Sequence, residues 1–291
     1  MANLKEIRNR IASVGSTMQI TSAMKMVSAA KLKKAQDAIT QMRPYAEKLQ
    51  EILGNLSGSL DLSENAYSET REVKNVLIIG VTSNRGLCGG FNNNVIKQVN
   101  LLVNKEYKKA NTKVLCLGKK IKDVYKKTDN YYINDELAAV EDIFSKLTFS
   151  NSAIITTSIM DRFVAGEFDK VIVVYNSFIN AASQDVKTEQ LLPIVSTVQE
   201  DNVTIGDYLF EPTKEEIVMD LIPKSLKVQL FKGLLDSNAS EHGARMTAMH
   251  KATDNAKEMK RTLTIGYNKA RQAAITSEIL EIVGGAEALN A

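Results

Sequence analysis

The sequence predicts an α/β protein: a body with a mostly parallel sheet, attached to a long antiparallel coiled coil made by the two ends of the chain. Three features carry that prediction. Apolar residues near the N-terminus recur in alternating three- and four-residue steps, the same rhythm returns in the last third, and short apolar runs separated by helix-like segments lie between.

From Asn3 to about Leu56 the only glycines are Gly15 and Gly54, and the only proline is Pro44. Leu4, Ile7, Ile11, Val14, Met18 and Thr21 follow heptad spacing, the seam of a coiled coil. Asn3 and Glu6 make a capping-box-like start, in which side-chain oxygens satisfy free amide donors. After Thr21 the register is expected to shift to Met24 and Val27, a stutter that locally relaxes the supercoil. At ~1.5 Å per residue this helix is about 80 Å long, more than a compact domain needs.

The middle of the chain is read as strands alternating with helices. VLIIGVT (76–82), KVLCLG (113–118) and KVIVVYNSF (170–178) are the strands, paired in parallel through right-handed crossovers. A helix is expected from Asn93 to Lys109, and the alternating run Val186 to Val195 is an antiparallel addition at an edge. Asn65 to Glu72 is polar and reads as a linker.

The last third returns to helix. Thr213 and Glu216 form a second capping box after Pro212; Pro223 is expected to kink the helix, and Gly284 and Gly285 to end it just beyond Val283. Its seam is assigned to Ala252, Ala256, Met259, Leu263, Gly266, Ala270, Ala273, Ser277 and Leu280. Such small residues let two backbones approach closely. The domains are therefore 1–58 (N-terminal coiled-coil helix), 73–211 (α/β domain) and 213–285 (C-terminal coiled-coil helix). Pairing the two helices leaves the longer, C-terminal one overhanging, with Ile275, Ile279, Ile282 and Val283 lacking an intrachain partner. Apolar side chains so placed need cover from another protein.

Composition excludes other classes. The 291 residues are 44% hydrophobic and 24% charged, near the globular average, so collagen-like, disordered and disulfide-framework chains are excluded. The net charge of +3 is too mild to name a polyanionic partner. No stretch approaches the ~20 apolar residues that cross a bilayer. The opening MANLKEIRNR has no apolar signal core, which points to a cytosolic compartment and reduced Cys88 and Cys116.

Candidate chemistry is sparse. SNRGLCGGFNNN (83–94) lies between a strand and a helix, where phosphate-binding loops occur, but it matches neither GxGxxG nor GxxxxGK[ST]. A tight turn using Gly86, Gly89 and Gly90 is the preferred reading, with an anion or partner contact as the alternative. Cys88 has no histidine in the α/β body to act as its base, so it is read as a spectator thiol. Asp161 with Arg162, and Glu141 with Asp142, are read as surface charges. His242 and His250, eight positions apart on one helix, cannot share a metal. No catalytic residue, metal or cofactor is assigned. Between Met1 and Lys48, nine basic residues face three acidic ones. With Met24 and Met26 flanking Lys25, that surface suits protein contact; it lacks the interleaved aromatics of a nucleic-acid binder.

Four ordered motifs carry a resemblance that covers nearly the whole chain. TMQITSAMKMVSAAKLKKAQ, SNRGLCGGFN, DYLFEP, and SEHGARMTAMHKATDNA with YNKARQAAITSEILEIVGGAEAL together resemble the gamma subunit, or central stalk, of the rotary ATP synthase. The resemblance implies a coiled-coil shaft inside a ring of alpha and beta subunits, a Rossmann-like domain outside it, and a foot on the membrane c ring beside the epsilon subunit. It implies a non-catalytic rotor that passes torque between the ion-driven ring and the catalytic head, coupling proton (or sodium) flow to ATP synthesis or hydrolysis. It also implies a peripheral place on the cytoplasmic face of a bacterial inner membrane.

Carried over by motif, Met24 and Lys25 face an acidic lever segment of a beta subunit. Arg245, Arg271, Gln272 and Thr276, with Ile279 and Ile282 of the tip, meet the alpha/beta head or the neighbouring helix. Tyr208, Phe210 and Glu211 of DYLFEP touch the c ring and epsilon. The amide-rich Asn92 to Asn94 departs from the family pattern, and the cysteine-bearing insertion of chloroplast relatives is missing. Two other readings stay open: a nucleotide-dependent α/β enzyme with helical dimerisation arms, and a tether or nucleic-acid scaffold using the basic helix.

Overall fold

The computed structural model describes residues 4–57, 66–132, 143–194 and 214–290. Element order is α1 (Leu4–Ser57), β1 (Asn75–Val81), α2 (Phe91–Leu101), β2 (Asn111–Leu117), α3 (Lys119–Tyr125), α4 (Phe149–Val164), β3 (Lys170–Phe178), β4 (Gln184–Leu192) and α5 (Lys214–Asn290). A π turn, Leu102–Glu106, follows α2, and a 3-10 turn, Ile143–Ser145, precedes α4. The chain divides into two compact units, one of Met1–Ser28 with Met246–Ala291 and one of Ala29–Arg245.

In the first unit the ends of the two long helices run antiparallel. Gly15 lies against Lys260, the Thr253 hydroxyl is 2.8 Å from that of Thr21, and Lys25 Nζ is 3.4 Å from His250 Nδ1. As the α1 number rises, its partner's number on α5 falls. The expected seam Leu4, Ile7, Ile11, Val14, Met18 and Thr21 faces inward. The stutter does not occur: Lys25 and Ser28 continue the heptad steps inward, and Val27 is exposed. On α5 the rhythm holds but half the seam moves by one residue. Lys260, Tyr267 and Ala274 are the half-covered positions, and Met259, Gly266 and Ala273 face out. The long stems of lysine and tyrosine cover apolar surface while their polar ends reach water, so residue polarity misplaced the seam.

Gly284 and Gly285 do not end α5, which runs through them to Asn290, and Pro44 and Pro223 both lie inside helices. Thr213 of the second capping box lies outside the described residues, as does Val195, the expected end of the edge strand, which runs from Gln184 to Leu192.

The second unit is a three-layer body. Its sheet has the order β2-β1-β3-β4, with β1 parallel to β2 and β3, and β4 antiparallel to β3. Val76, Ile78, Val114, Cys116, Ile172 and Val174 point to one face, where Val95 and Val99 of α2 and Ile121 of α3 cover them. Leu77, Ile79, Leu115, Val171, Val173 and Tyr175 point to the other, against Ile155, Ile159 and Phe163 of α4 and Ile222, Leu226, Leu230 and Leu234 of α5. Burial on both faces explains why these strands read as unbroken apolar runs. Edge strand β4 alternates only over its first four residues and is buried at Leu191 and Leu192. In this unit Ala46 and Leu49 of α1 pack with Val228 of α5. Among the described residues no helix is long and apolar enough to cross a membrane.

Candidate functional site

The parallel strands end on one rim of the body, and the chain leaves β1 there through a tight turn into α2. The Ser83 amide donates to Asn92 Oδ1 at 2.9 Å, and Asn92 Nδ2 donates to Cys88 Sγ at 3.1 Å. Leu87 and Gly89 both take left-handed backbone, φ +63° and +59°, which turns the chain within three residues. For a leucine that conformation costs about 1 kcal/mol or more. Leu87 gains nothing from burial, because its side chain is exposed. Gly118, at the end of β2, has φ +106°, and a Cβ there would lie 2.0 Å from the Thr82 carbonyl oxygen. Glycine alone fits where β2 crosses the turn.

Helix α5 covers this rim. Ser240 Oγ donates to the Asn176 carbonyl at 3.1 Å, and Asn176 Nδ2 donates to the Phe91 carbonyl at 3.1 Å. Cys88 and Phe91 pack on Ala244. Arg245, 7% exposed, donates from Nε to the Gly86 carbonyl and from Nη2 to the Arg85 carbonyl, both at 3.3 Å. Its Nη2 is also 2.7 Å from Glu241 Oε1, an ion pair one helical turn back and equally buried. Burial pushes the Glu241 carboxyl above the ordinary range, while Arg245, Lys31 and Arg85 pull against that rise. Burial, with the positive charges of Arg245 and Lys31, pushes His242 down to about 4. His242 is therefore neutral near pH 7. Its Nδ1, 3.4 Å from Arg245 Nη1, must be the acceptor, because a guanidinium only donates.

These contacts correct one expectation. His242 does belong to the α/β unit, so Cys88 is not isolated from histidine by position in the chain. The thiol is buried among Ser83, Asn92, Phe91 and Ala244. Both cysteines are buried.

In the coiled-coil unit, Met24 and Lys25 are half-buried, and Ile20, Met26 and Val27 stand exposed beside them. His250 Nδ1 lies 3.4 Å from both Lys25 Nζ and Asp254 Oδ2, so it accepts from one or donates to the other according to tautomer. Further along α5, Arg271, Gln272, Thr276, Ile279 and Ile282 are all exposed, and the Thr276 hydroxyl donates back to the Gln272 carbonyl at 2.9 Å. Ile282 is 71% exposed. Tyr208, Phe210 and Glu211 lie outside the described residues.

A family model described as ATP synthase matches residues 3–289. The ATP synthase gamma chain of Flavobacterium johnsoniae is 61% identical over 291 residues, covering all of both chains, and that of Cytophaga hutchinsonii is 54% identical over the full length of both. The chain belongs to the ATP synthase gamma chain family. Among solved structures, the central stalk and c-ring of Tetrahymena thermophila mitochondrial ATP synthase matches with TM-score 0.57 and 25% identity, over 80% of this chain and 99% of that one. A chain of Euglena gracilis mitochondrial ATP synthase shares the fold, with TM-score 0.65 and 21% identity over 98% and 94% of the two chains.

The sequence of this family member singles out Arg245 and the amide-rich stretch at Asn92, but not Glu241 or Leu87. The four-residue step from Glu241 to Arg245 was a usable signal for an ion pair. Nothing local marks Leu87 as left-handed, because no side-chain property of leucine favours that backbone.

Proposed function

We propose that this chain is the central-stalk rotor of an ATP synthase, a non-catalytic subunit that carries torque between an ion-driven c ring and an alpha/beta head. The observation that carries the reading is the mismatch of the two long helices. Leu4, the first described residue of α1, falls near Arg271 in the antiparallel pairing, and α5 continues for about another 19 residues. Ile275, Ile279, Leu280, Ile282 and Val283 on that extension are exposed. An apolar helix end outrunning its partner is what a shaft needs to turn inside a sleeve of other subunits, where directional bonds would arrest it.

In this reading Met24, Lys25, Arg271, Gln272, Thr276, Ile279 and Ile282 meet the head, and Leu87 adds a contact from the rim. Arg245 acts through the turn that it holds rather than by direct contact. Tyr208, Phe210 and Glu211 meet the c ring and the epsilon subunit, and the complex sits on the cytoplasmic side of a bacterial membrane. In this reading the paired ends of α1 and α5 form the shaft. A rotor supplies no energy. It couples proton or sodium flow to ATP turnover only by making contacts that differ between the states of each catalytic subunit. The non-catalytic part of the reading is supported by the rim of the sheet. Open α/β sheets bind ligands where the strand order reverses, and here α5 packs on that rim through Ser240 and Arg245.

The test is mechanical. In the assembled complex, immobilised by its head, a bead attached to the body of this chain should rotate in one sense during ATP hydrolysis. A bead that stays still while hydrolysis proceeds would overturn the rotor reading.

A further inference from the structure

In the coiled-coil unit one ring nitrogen stands between two opposite charges. His250 Nδ1 is 3.4 Å from Lys25 Nζ across the helix pair and 3.4 Å from Asp254 Oδ2, one turn further along its own helix. It cannot serve both. Without a proton, Nδ1 offers a lone pair to the Lys25 ammonium, which only donates. With a proton, it can only donate, and the Asp254 carboxylate is the acceptor in reach. The charged surroundings are sparse. Lys25 is the sole charged residue of α1 between Arg10 and Lys31, and on α5 the charged residues from Met246 to Asp254 are the exposed Lys251 and Asp254 itself. The neighbouring contact between the helices, Thr253 to Thr21, is a pair of hydroxyls. Asp254 is thus the one carboxylate in this stretch of the pair.

We propose that His250 is a proton-operated latch in the helix pair: neutral, it ties α5 to Lys25 of α1; protonated, it turns to Asp254 and releases Lys25. Histidine is the side chain whose charge ordinarily changes between about pH 5 and 8. Protonation exchanges a bond between helices for a bond within one helix, and sets two cations against each other across the pair. Asp254 and solvent soften that repulsion, so the pair loosens locally and does not separate. The half-buried Lys25 then has its ammonium available to a carboxylate outside the chain. The latch is a property of this chain alone and is independent of the rotor reading.

Nitrogen-15 NMR of the full-length chain with labelled histidine rings tests the latch, and His250→Gln identifies the His250 signals. In the parent, neutral His250 should leave Nδ1 as its unprotonated nitrogen. Lys25→Met should raise the share of molecules with the proton on Nδ1 at least about twofold, because Asp254 then acts alone, and Asp254→Asn should not. An unchanged tautomer ratio in Lys25→Met overturns the proposal. Amide hydrogen exchange over residues 18–28, corrected for the intrinsic effect of pH, reads the release. Between about pH 8 and about pH 5.5 the parent should lose about two- to fivefold in protection. His250→Gln, whose side-chain oxygen can accept from Lys25 at either pH, should lose none. No loss in the parent, or equal losses in the parent and His250→Gln, overturns the latch.

Discussion

The guanidinium of Arg245 lies 3.3 Å from the carbonyl oxygen of Gly86, joining α5 to the turn after β1 across 159 positions of sequence. The same guanidinium neutralises Glu241 at 2.7 Å, so a buried charge pair and a backbone clamp share one side chain. Arg245→Ala leaves the Glu241 carboxylate buried and unpaired, and should cost about 3–5 kcal/mol of stability in the α/β unit. Adding Glu241→Gln removes the stranded charge and should recover part of that loss. Urea denaturation of both variants decides the matter. Equal losses would show that the clamp on Arg85 and Gly86, and not the charge pair, carries the energy.

His242 predicts how stability responds to acid. Its folded value, about 4, lies below the ordinary 6.5, so the unfolded chain takes up the proton first as pH falls. The stability it contributes is full above about pH 6.5 and is lost progressively towards about pH 4. Glu241 has the opposite sign, because its folded value is raised. Its contribution is present below the ordinary carboxyl range and is lost as pH rises through the folded value. Comparing parent with His242→Gln cancels the Glu241 effect. The parent should lose more stability than the variant between about pH 7 and about pH 4.5; parallel losses would contradict the assignment.

Two glycines should respond in opposite directions. Gly118→Ala forces a side chain into left-handed backbone and against the Thr82 carbonyl, which should cost about 2–5 kcal/mol. Gly266 lies mid-helix on α5, and an added Cβ there would meet nothing within 4 Å. Gly266→Ala should stabilise the helix by about 0.5–1 kcal/mol. Thermal melts followed by circular dichroism read both changes. A loss in Gly266→Ala would restore the close helix contact that the small-residue seam had suggested.

The strands and the first half of the coiled coil were legible because their signals are strong and local. Ile78, Ile79, Val173 and Val174 sit in strands covered on both faces, and Leu4, Ile7 and Ile11 mark one helical stripe. Legibility failed where inward positions are occupied by long amphipathic side chains. Lys25, Lys260 and Tyr267 lie towards the neighbouring helix, which no polarity pattern reveals. The helix end was misjudged because Gly284 and Gly285 permit a cap without requiring one. At the rim, the sequence displayed the turn residues and Arg245 separately. Only the fold of α5 onto the sheet brings them to 3.3 Å.

The far end of α5 gives a test that separates stability from mechanism. Ile279, Leu280, Ile282 and Val283 are exposed, so within this chain they bury little apolar surface and contribute little to folding. Ending the chain before Ile279 should therefore leave the cooperative melting of the α/β unit unchanged. In the assembled complex the same truncation should lower the torque or the coupling ratio of ion transport to ATP hydrolysis, because the end of the shaft loses the apolar surface that keeps it centred. Replacing Ile279 and Ile282 together by aspartate should act more strongly than truncation, since it adds charge that must be desolvated inside the sleeve. A truncated chain that melts at lower temperature would mean that these isoleucines find cover within their own subunit. One that melts normally and couples fully would mean that the tip bears no load.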